Sequence, residues 1–212
     1  NQPLAAMKTY LAGARLLLQR KRPDEALSSF QRIDDLIERM GAITRQLKSY
    51  ARKGGEAFEP VDVRSCVSAA LAMMEPQLKL RVVKITRTVP RQPVMVMADR
   101  LRLEQVIINL LRNALDATKD IADPQIDLLL TVGETATLAV RDNGHGIAEI
   151  GSVFEPFYTT KKPGEGVGLG LAISSGIVND LGGRLTAHNA EAGGAVFEIQ
   201  LPILGKETKA AE

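Results

Sequence analysis

The chain has 212 residues, long for one compact domain and comfortable for two small ones. Hydrophobic residues make up 45% and charged residues 25%, an ordinary soluble globular mix, and a formal charge of +2 is too balanced to argue for nucleic acid or an anionic membrane surface as a partner. One cysteine allows no disulfide within the chain, and no signal peptide or bilayer-length apolar run is expected, so any membrane-bound part of the whole protein would lie outside this sequence.

The N-terminal region reads as two helices. Leu4, Met7, Leu11, Ala14 and Leu18 recur at steps of three and four, one stripe at coiled-coil spacing. Arg20, Lys21 and Arg22 suit its C-terminus, and Pro23 followed by Asp24 and Glu25 suits the first turn of a second helix. That helix carries Phe30, Ile33, Ile37, Met40, Ile43, Leu47 and Tyr50 at similar steps. Neither stripe is well buried by the other alone, whereas two such hairpins packed as a four-helix bundle would bury both, which predicts a homodimer. The alternative is a hairpin packed on the rest of its own chain.

Lys53-Gly54-Gly55 breaks the second helix, giving expected domains at 1–55 and 56–205 with a polar tail at 206–212. The second region starts with an extended piece from Phe58 to Val61 and a helix from Asp62 to Leu80, on which Cys66 sits among Val63, Val67 and Ala70 as a buried, unreactive thiol. Strands follow at Val82–Val89 and Val94–Met97. Asp99 is the expected N-cap of a helix reaching Lys119. Strands at Gln125–Val132 and Thr135–Arg141, a helix at Leu169–Leu181 and closing strands at Arg184–Ala187 and Val196–Leu201 complete the order. The fold class is α+β: a helical hairpin followed by a mixed sheet with helices on one face, an α/β sandwich.

Four motifs fall within the second region. Asn109, Asn113 and Asp116 lie at i, i+4 and i+7 on one helix face, opposite apolar Leu103, Val106, Ile107, Leu110 and Ala114. Carboxamides suit a hard cation such as Mg²⁺ beside phosphates, although a solvated helix face would look the same. Asp142-Asn-Gly144-His-Gly146-Ile147 follows a strand, where a carboxylate can accept a hydrogen bond from an exocyclic amine; alone it is also simply a turn. Phe154 to Lys161 holds loop aromatics followed by Lys161 and then Lys162, and suits a lid that reaches phosphate. Gly164, Gly166, Gly168 and Gly170 run into a helix, where free amides cradle phosphate. No Gly-Lys-Ser/Thr follows and no βαβ unit surrounds this run, which excludes a P-loop and a Rossmann turn.

In this order and at these spacings the four resemble the N, G1, F and G2 boxes of the histidine kinase catalytic domain, the fold shared with gyrase, heat-shock and mismatch-repair ATPases. Asn1-Gln2-Pro3-Leu4 is similar to the end of the H-box, which in this family reads His-Glu-x-Asn-Gln-Pro-Leu. The resemblance covers nearly the whole chain. It implies ATP and Mg²⁺ as cofactors and a phosphoacceptor histidine three residues ahead of Asn1. By the same resemblance Asn113 is the metal ligand, Asn109 supports metal and phosphates, and Arg112 faces either a phosphate or solvent. Asp142 reads adenine, with Gly144, Gly146 and Ile147 lining the base. Thr160 and Lys161 reach the phosphates from a lid spanning Phe154 to Val167, and Gly166, Gly168 and Gly170 wrap them beside Leu169. The lid is expected to order on nucleotide binding.

Position 109 bears on the reaction. The related ATPases carry a glutamate there as general base for water, whereas Asn109 cannot take a proton, which favours transfer to a protein acceptor. The resemblance then implies autophosphorylation of the histidine, with Asn109 and Lys161 as catalytic residues, and transfer to an aspartate of a response regulator. Gln2 stands where a residue often positions water to dephosphorylate the regulator. Two departures are Asp116, where lysine is common, and Ala195, where threonine is common. His145 and His188 are expected bystanders. The wording Asn1-Gln-Pro-Leu-Ala-Ala-Met7, with Pro163-Gly-Glu-Gly-Val-Gly-Leu-Gly-Leu-Ala-Ile173, is most similar to the C4-dicarboxylate and nitrogen sensor kinases, and the resemblance implies the cytoplasmic portion of a sensor anchored in the inner membrane. Three rivals share parts of the pattern: a hydrolytic ATPase, a degenerate binding and dimerisation module, and a protein-serine kinase of the anti-sigma type, which lacks the helical hairpin.

Overall fold

The computed structural model describes residues 2–20, 22–23, 25–33, 37, 58–161 and 168–205. The chain divides into two compact units, residues 1–54 with 157–169, and residues 55–156 with 170–212.

In the first unit, α1 (Gln2–Gln19) ends where the Arg20 amide turns back to the Leu16 and Leu17 carbonyls. Residues 25–33 form α2, with Pro23 also helical, as proline in a first turn should be. Arg22 pairs with Glu25, and the Arg32 guanidinium lies 5.5 Å from the centroid of the Tyr10 ring, a cation–π contact between the two helices. Ala14 and Ala26 are buried. Leu11, Leu18, Leu27, Phe30 and Ile37 remain exposed in the single chain. The later stripe residues Met40, Ile43, Leu47 and Tyr50, and the break at Lys53-Gly54-Gly55, lie outside the described residues.

The second unit is built on a five-stranded mixed sheet in the order β2-β4-β5-β7-β6, formed by β2 (Lys84–Thr88), β4 (Gln125–Val132), β5 (Thr135–Asp142), β6 (Arg184–Asn189) and β7 (Ala195–Pro202). β2 runs parallel to β4; the other pairs are antiparallel. Ile126, Leu128 and Leu130 of β4 and Ala136, Leu138 and Val140 of β5 are buried at alternate positions, while Leu129 and Val132 are exposed, the pattern of a sheet covered on one face. Three helices supply the cover: α3 (Val63–Leu80), α4 (Arg100–Ala117) and α5 (Gly170–Asp180). α4 buries Leu103, Val106, Ile107, Leu110, Leu111, Ala114 and Leu115, so its apolar side is the one read from the sequence. Asp99 caps it, its Oδ1 accepting from the Arg102 amide at 3.1 Å. Cys66 is fully buried on α3, and burial pushes its thiol up to about 11.

β1 (Glu59–Asp62) and β3 (Met95–Ala98) form a separate two-stranded antiparallel sheet, a pairing that periodicity did not predict. Asp62 fastens it to α3. Its carboxylate accepts from the Arg64 amide at 3.1 Å, the Val94 amide at 3.1 Å and the Arg64 guanidinium at 2.8 Å. These bonds, led by that of the Arg64 side chain, hold the Asp62 pKa below 3.8. A lowered folded pKa stabilises the fold above the unfolded value, and that stabilisation is lost as pH falls through the folded value. Asp62→Ala should therefore cost about 1–2 kcal/mol at neutral pH in urea unfolding. The difference from wild type should shrink below pH 3.8.

Candidate functional site

Burial of one side of α4 leaves Asn109 and Asn113, both half-buried, on the side that does not enter the core. Asn109 is held in place. Its Nδ2 donates to Ser174 Oγ at 3.0 Å, and its Oδ1 lies against Gly170 at the start of α5. Ser174 is buried, so this hydrogen bond satisfies a hydroxyl that would otherwise be costly within the helix pair. Further along the same antiparallel pair, Arg102 Nη2 meets Asp180 Oδ2 at 2.6 Å. The amide orientation of Asn109 and the entry of α5 are therefore tied together. Arg112 is exposed. Asp116 stands 4.0 Å from Arg81 Nη1, which also donates to the Leu115 carbonyl at 3.0 Å, so this carboxylate faces the end of α3.

Asp142 ends β5, the central strand of the sheet, and only 2% of it is exposed. Its Oδ1 accepts from the Gly144 amide at 2.8 Å and the Ala195 amide at 3.3 Å. Burial raises its pKa above 3.8, partly offset by those two bonds. Gly194 holds φ +84° behind it, where any side chain would run into the Asp142 carbonyl oxygen, so only glycine fits. Gly144 lies against the last turn of α4: a methyl group on it would sit 2.5 Å from the Ala117 carbonyl oxygen. The Asp142 loop and α4 are thus two walls of one site.

Two carboxamides pin that loop. Asn143 accepts from the Gln125 amide and donates to the Asp123 carbonyl, both at 2.8 Å. Asn189 accepts from the Ile147 amide at 2.6 Å and donates to the Ile147 carbonyl at 2.9 Å. His145 and His188 are both exposed.

Asn109, Arg112, Asn113, Asp142, Gly144, Gly146, Ile147 and Gly170 all belong to this unit. Thr160, Lys161, Gly168 and Leu169 belong to the other, in which the Phe157 amide donates to the Gly168 carbonyl at 2.8 Å and the Lys161 amide to Thr159 Oγ1 at 3.2 Å. Gly166 lies outside the described residues, and Gln2 opens α1. Ser174 and Asn189 are not singled out by the sequence. The available signals were a serine inside an apolar helical turn and an asparagine just before a glycine turn, and both are weak.

Chemically, the site offers a buried acceptor for an N–H donor, hard carboxamide oxygens, and no proton acceptor at position 109. Among the described residues no cluster of three His, Cys, Asp or Glu side chains could hold a metal. A divalent ion here would need amide oxygen and ligand phosphates, and the Asn113 carboxamide fits that requirement. A separate cavity of about 800 Å³, lined by Leu71, Leu78, Val82, Ile85 and Asp123 among others, includes none of Asn109, Asn113, Asp142 or Gly144.

Residues 98–205 match the family described as histidine kinase-, DNA gyrase B- and HSP90-like ATPase. The chain is 40% identical over 205 residues to the C4-dicarboxylate transport sensor protein DctB of Pseudomonas aeruginosa, covering 95% of this chain and 34% of that protein. It is 39% identical to the protein of the same name from Rhizobium meliloti, covering 95% of this chain and 32% of that protein. The solved catalytic domain of histidine kinase ThkA matches with a TM-score of 0.62 at 28% identity, over 69% of this chain and 96% of that one. The chain spans about a third of the length of the curated relatives it matches. Among the described residues no helix is long and apolar enough to cross a membrane.

A carboxyl whose folded pKa is raised above 3.8 costs stability at every pH where it is ionised, and the cost fades as pH falls through the folded value. Asp142→Asn keeps the Oδ1 acceptor and removes the charge. The variant should melt higher than wild type at pH 7, with the gap closing in acid. Thermal melts across pH check this.

Proposed function

Because the chain belongs to the histidine kinase-, DNA gyrase B- and HSP90-like ATPase family, we propose that it is the ATP-binding and dimerisation core of a two-component sensor histidine kinase. The observation that carries this reading is the combination of a buried, firmly held Asp142 with an asparagine at position 109, where a water-activating acid would otherwise stand.

In this reading Asp142 accepts the exocyclic amine of adenine, and Gly144, Gly146 and Ile147 line the base. Asn113 holds Mg²⁺, which neutralises charge on the phosphates when bound. Asn109, pinned by Ser174, supports that end of the nucleotide. Thr160, Lys161, Gly166, Gly168 and Gly170, beside Leu169, cover the phosphates, with Arg112 as a further candidate contact. Since Asn109 cannot take a proton, the nucleophile must arrive with its own activation. A histidine three residues ahead of Asn1 in the whole protein is the proposed acceptor. Its imidazole nitrogen attacks the γ-phosphorus in line, the bond to the β–γ bridging oxygen breaks, and ADP leaves.

The division into residues 1–55, 56–205 and 206–212 follows the same reading, the first part forming the dimeric bundle. Support for a homodimer comes from Leu11, Leu18, Phe30 and Ile37, which stay exposed in the lone chain and would be buried against a second copy. A response regulator aspartate is the proposed destination of the phosphoryl group. Gln2 is a candidate for positioning water in the reverse dephosphorylation. The whole sensor is proposed to be anchored in the inner membrane, with this portion on the cytoplasmic side.

Intact-mass analysis of the whole protein after Mg²⁺-ATP should find one acid-labile phosphate, absent when the upstream histidine is changed to glutamine. Steady phosphate release without any gain in mass would instead favour a hydrolytic ATPase. Asn113→Ala should weaken nucleotide binding in Mg²⁺ by roughly tenfold and much less in excess chelator, measured by titration calorimetry.

A further inference from the structure

We infer that Asn189 is a positioning residue for the nucleobase, setting Ile147 at a fixed distance from Asp142; the inference rests on the reading of Asp142 as the adenine contact. Both hydrogen bonds that hold the Ile147 main chain come from one carboxamide, the amide donating to Asn189 Oδ1 at 2.6 Å and Asn189 Nδ2 donating to the carbonyl at 2.9 Å. A carboxamide alone among small side chains presents a neutral donor and acceptor side by side, and so reproduces the pairing that a neighbouring strand would give. Gly146 packs against the same group. Asn189 is itself exposed, so core packing does not explain its presence.

Its place in the sheet provides the coupling. Asn189 is the cross-strand partner of Ala195 at the tip of the β6–β7 hairpin. The Ala195 amide holds Asp142 Oδ1 at 3.3 Å. The tip is closed by Ala190 N–H to the Gly194 carbonyl and Gly193 N–H to the Ala190 carbonyl, both 3.0 Å. One rung of the ladder therefore grips both sides of the base site: Ala195 the carboxylate, Asn189 the loop opposite it. The Ile147 side chain is half-buried against the core, so the grip on its main chain also fixes that apolar surface. Releasing it should loosen recognition of the base and leave the phosphate end alone.

The test measures affinity of the whole protein for ATP and for inosine triphosphate, which has the same ribose and phosphates but a carbonyl in place of the amine. Wild type should prefer ATP. Asn189→Ala, which loses both bonds, and Asn189→Asp, which keeps the shape and the acceptor but sets a carboxylate against the Ile147 carbonyl, should each weaken ATP about tenfold and inosine triphosphate less than about twofold. If the alanine variant does not fold, the isosteric aspartate variant carries the test. An aspartate variant that binds ATP like wild type, or equal weakening of both nucleotides, would overturn the inference while leaving Asp142 in place. A wild-type protein with no preference between the two nucleotides would instead remove the Asp142 reading and the inference with it.

Discussion

Ionised carboxylates resist burial, and the second unit is organised around one that is buried all the same. Asp142 sits at the end of the central strand with two main-chain amides aimed at one of its oxygens. Desolvation outweighs those bonds and keeps its pKa raised. The surrounding features follow from holding it there: a left-handed glycine at 194, the close approach of Gly144 to α4, and the two asparagine clamps on the loop.

The other wall depends on a different constraint. α4 must bury a wide apolar side between the sheet and its neighbours, and what remains at Asn109 and Asn113 is set by helical period alone. A lone asparagine on such a face would rotate freely. The bond to Ser174 removes that freedom and links the amide to the start of α5, where the glycine run ends. The packing of the two helices and the orientation of the Asn109 amide thus share the same few contacts.

The sequence was most readable where one residue type answers one local demand. Asp99 caps α4 as a short acceptor before an amphipathic run must, and the strand at Gln125–Val132 has the bounds expected from its apolar residues and flanking turn. Pairing was less legible. Nothing in the period of two assigns β1 to β3 or makes β2 parallel to β4, because a strand's alternation names its buried face and not its neighbour. Ser174 and Asn189 were invisible for a related reason: their partners lie 65 and 42 residues away, and an asparagine near a glycine turn has many local uses. The helical stripes predicted a hairpin, and α1 and α2 are helical where described.

The proposed function requires nucleotide to bind between the Asp142 loop and α4. The most direct measurement is an amide NMR titration with Mg²⁺ and a non-hydrolysable ATP analogue. Binding there should give the largest shifts at Gly144, Ile147, Asn113 and Ala195, with Leu71, Leu78 and Ile85 around the separate cavity unmoved. Shifts concentrated at that cavity, with the Asp142 loop silent, would contradict it.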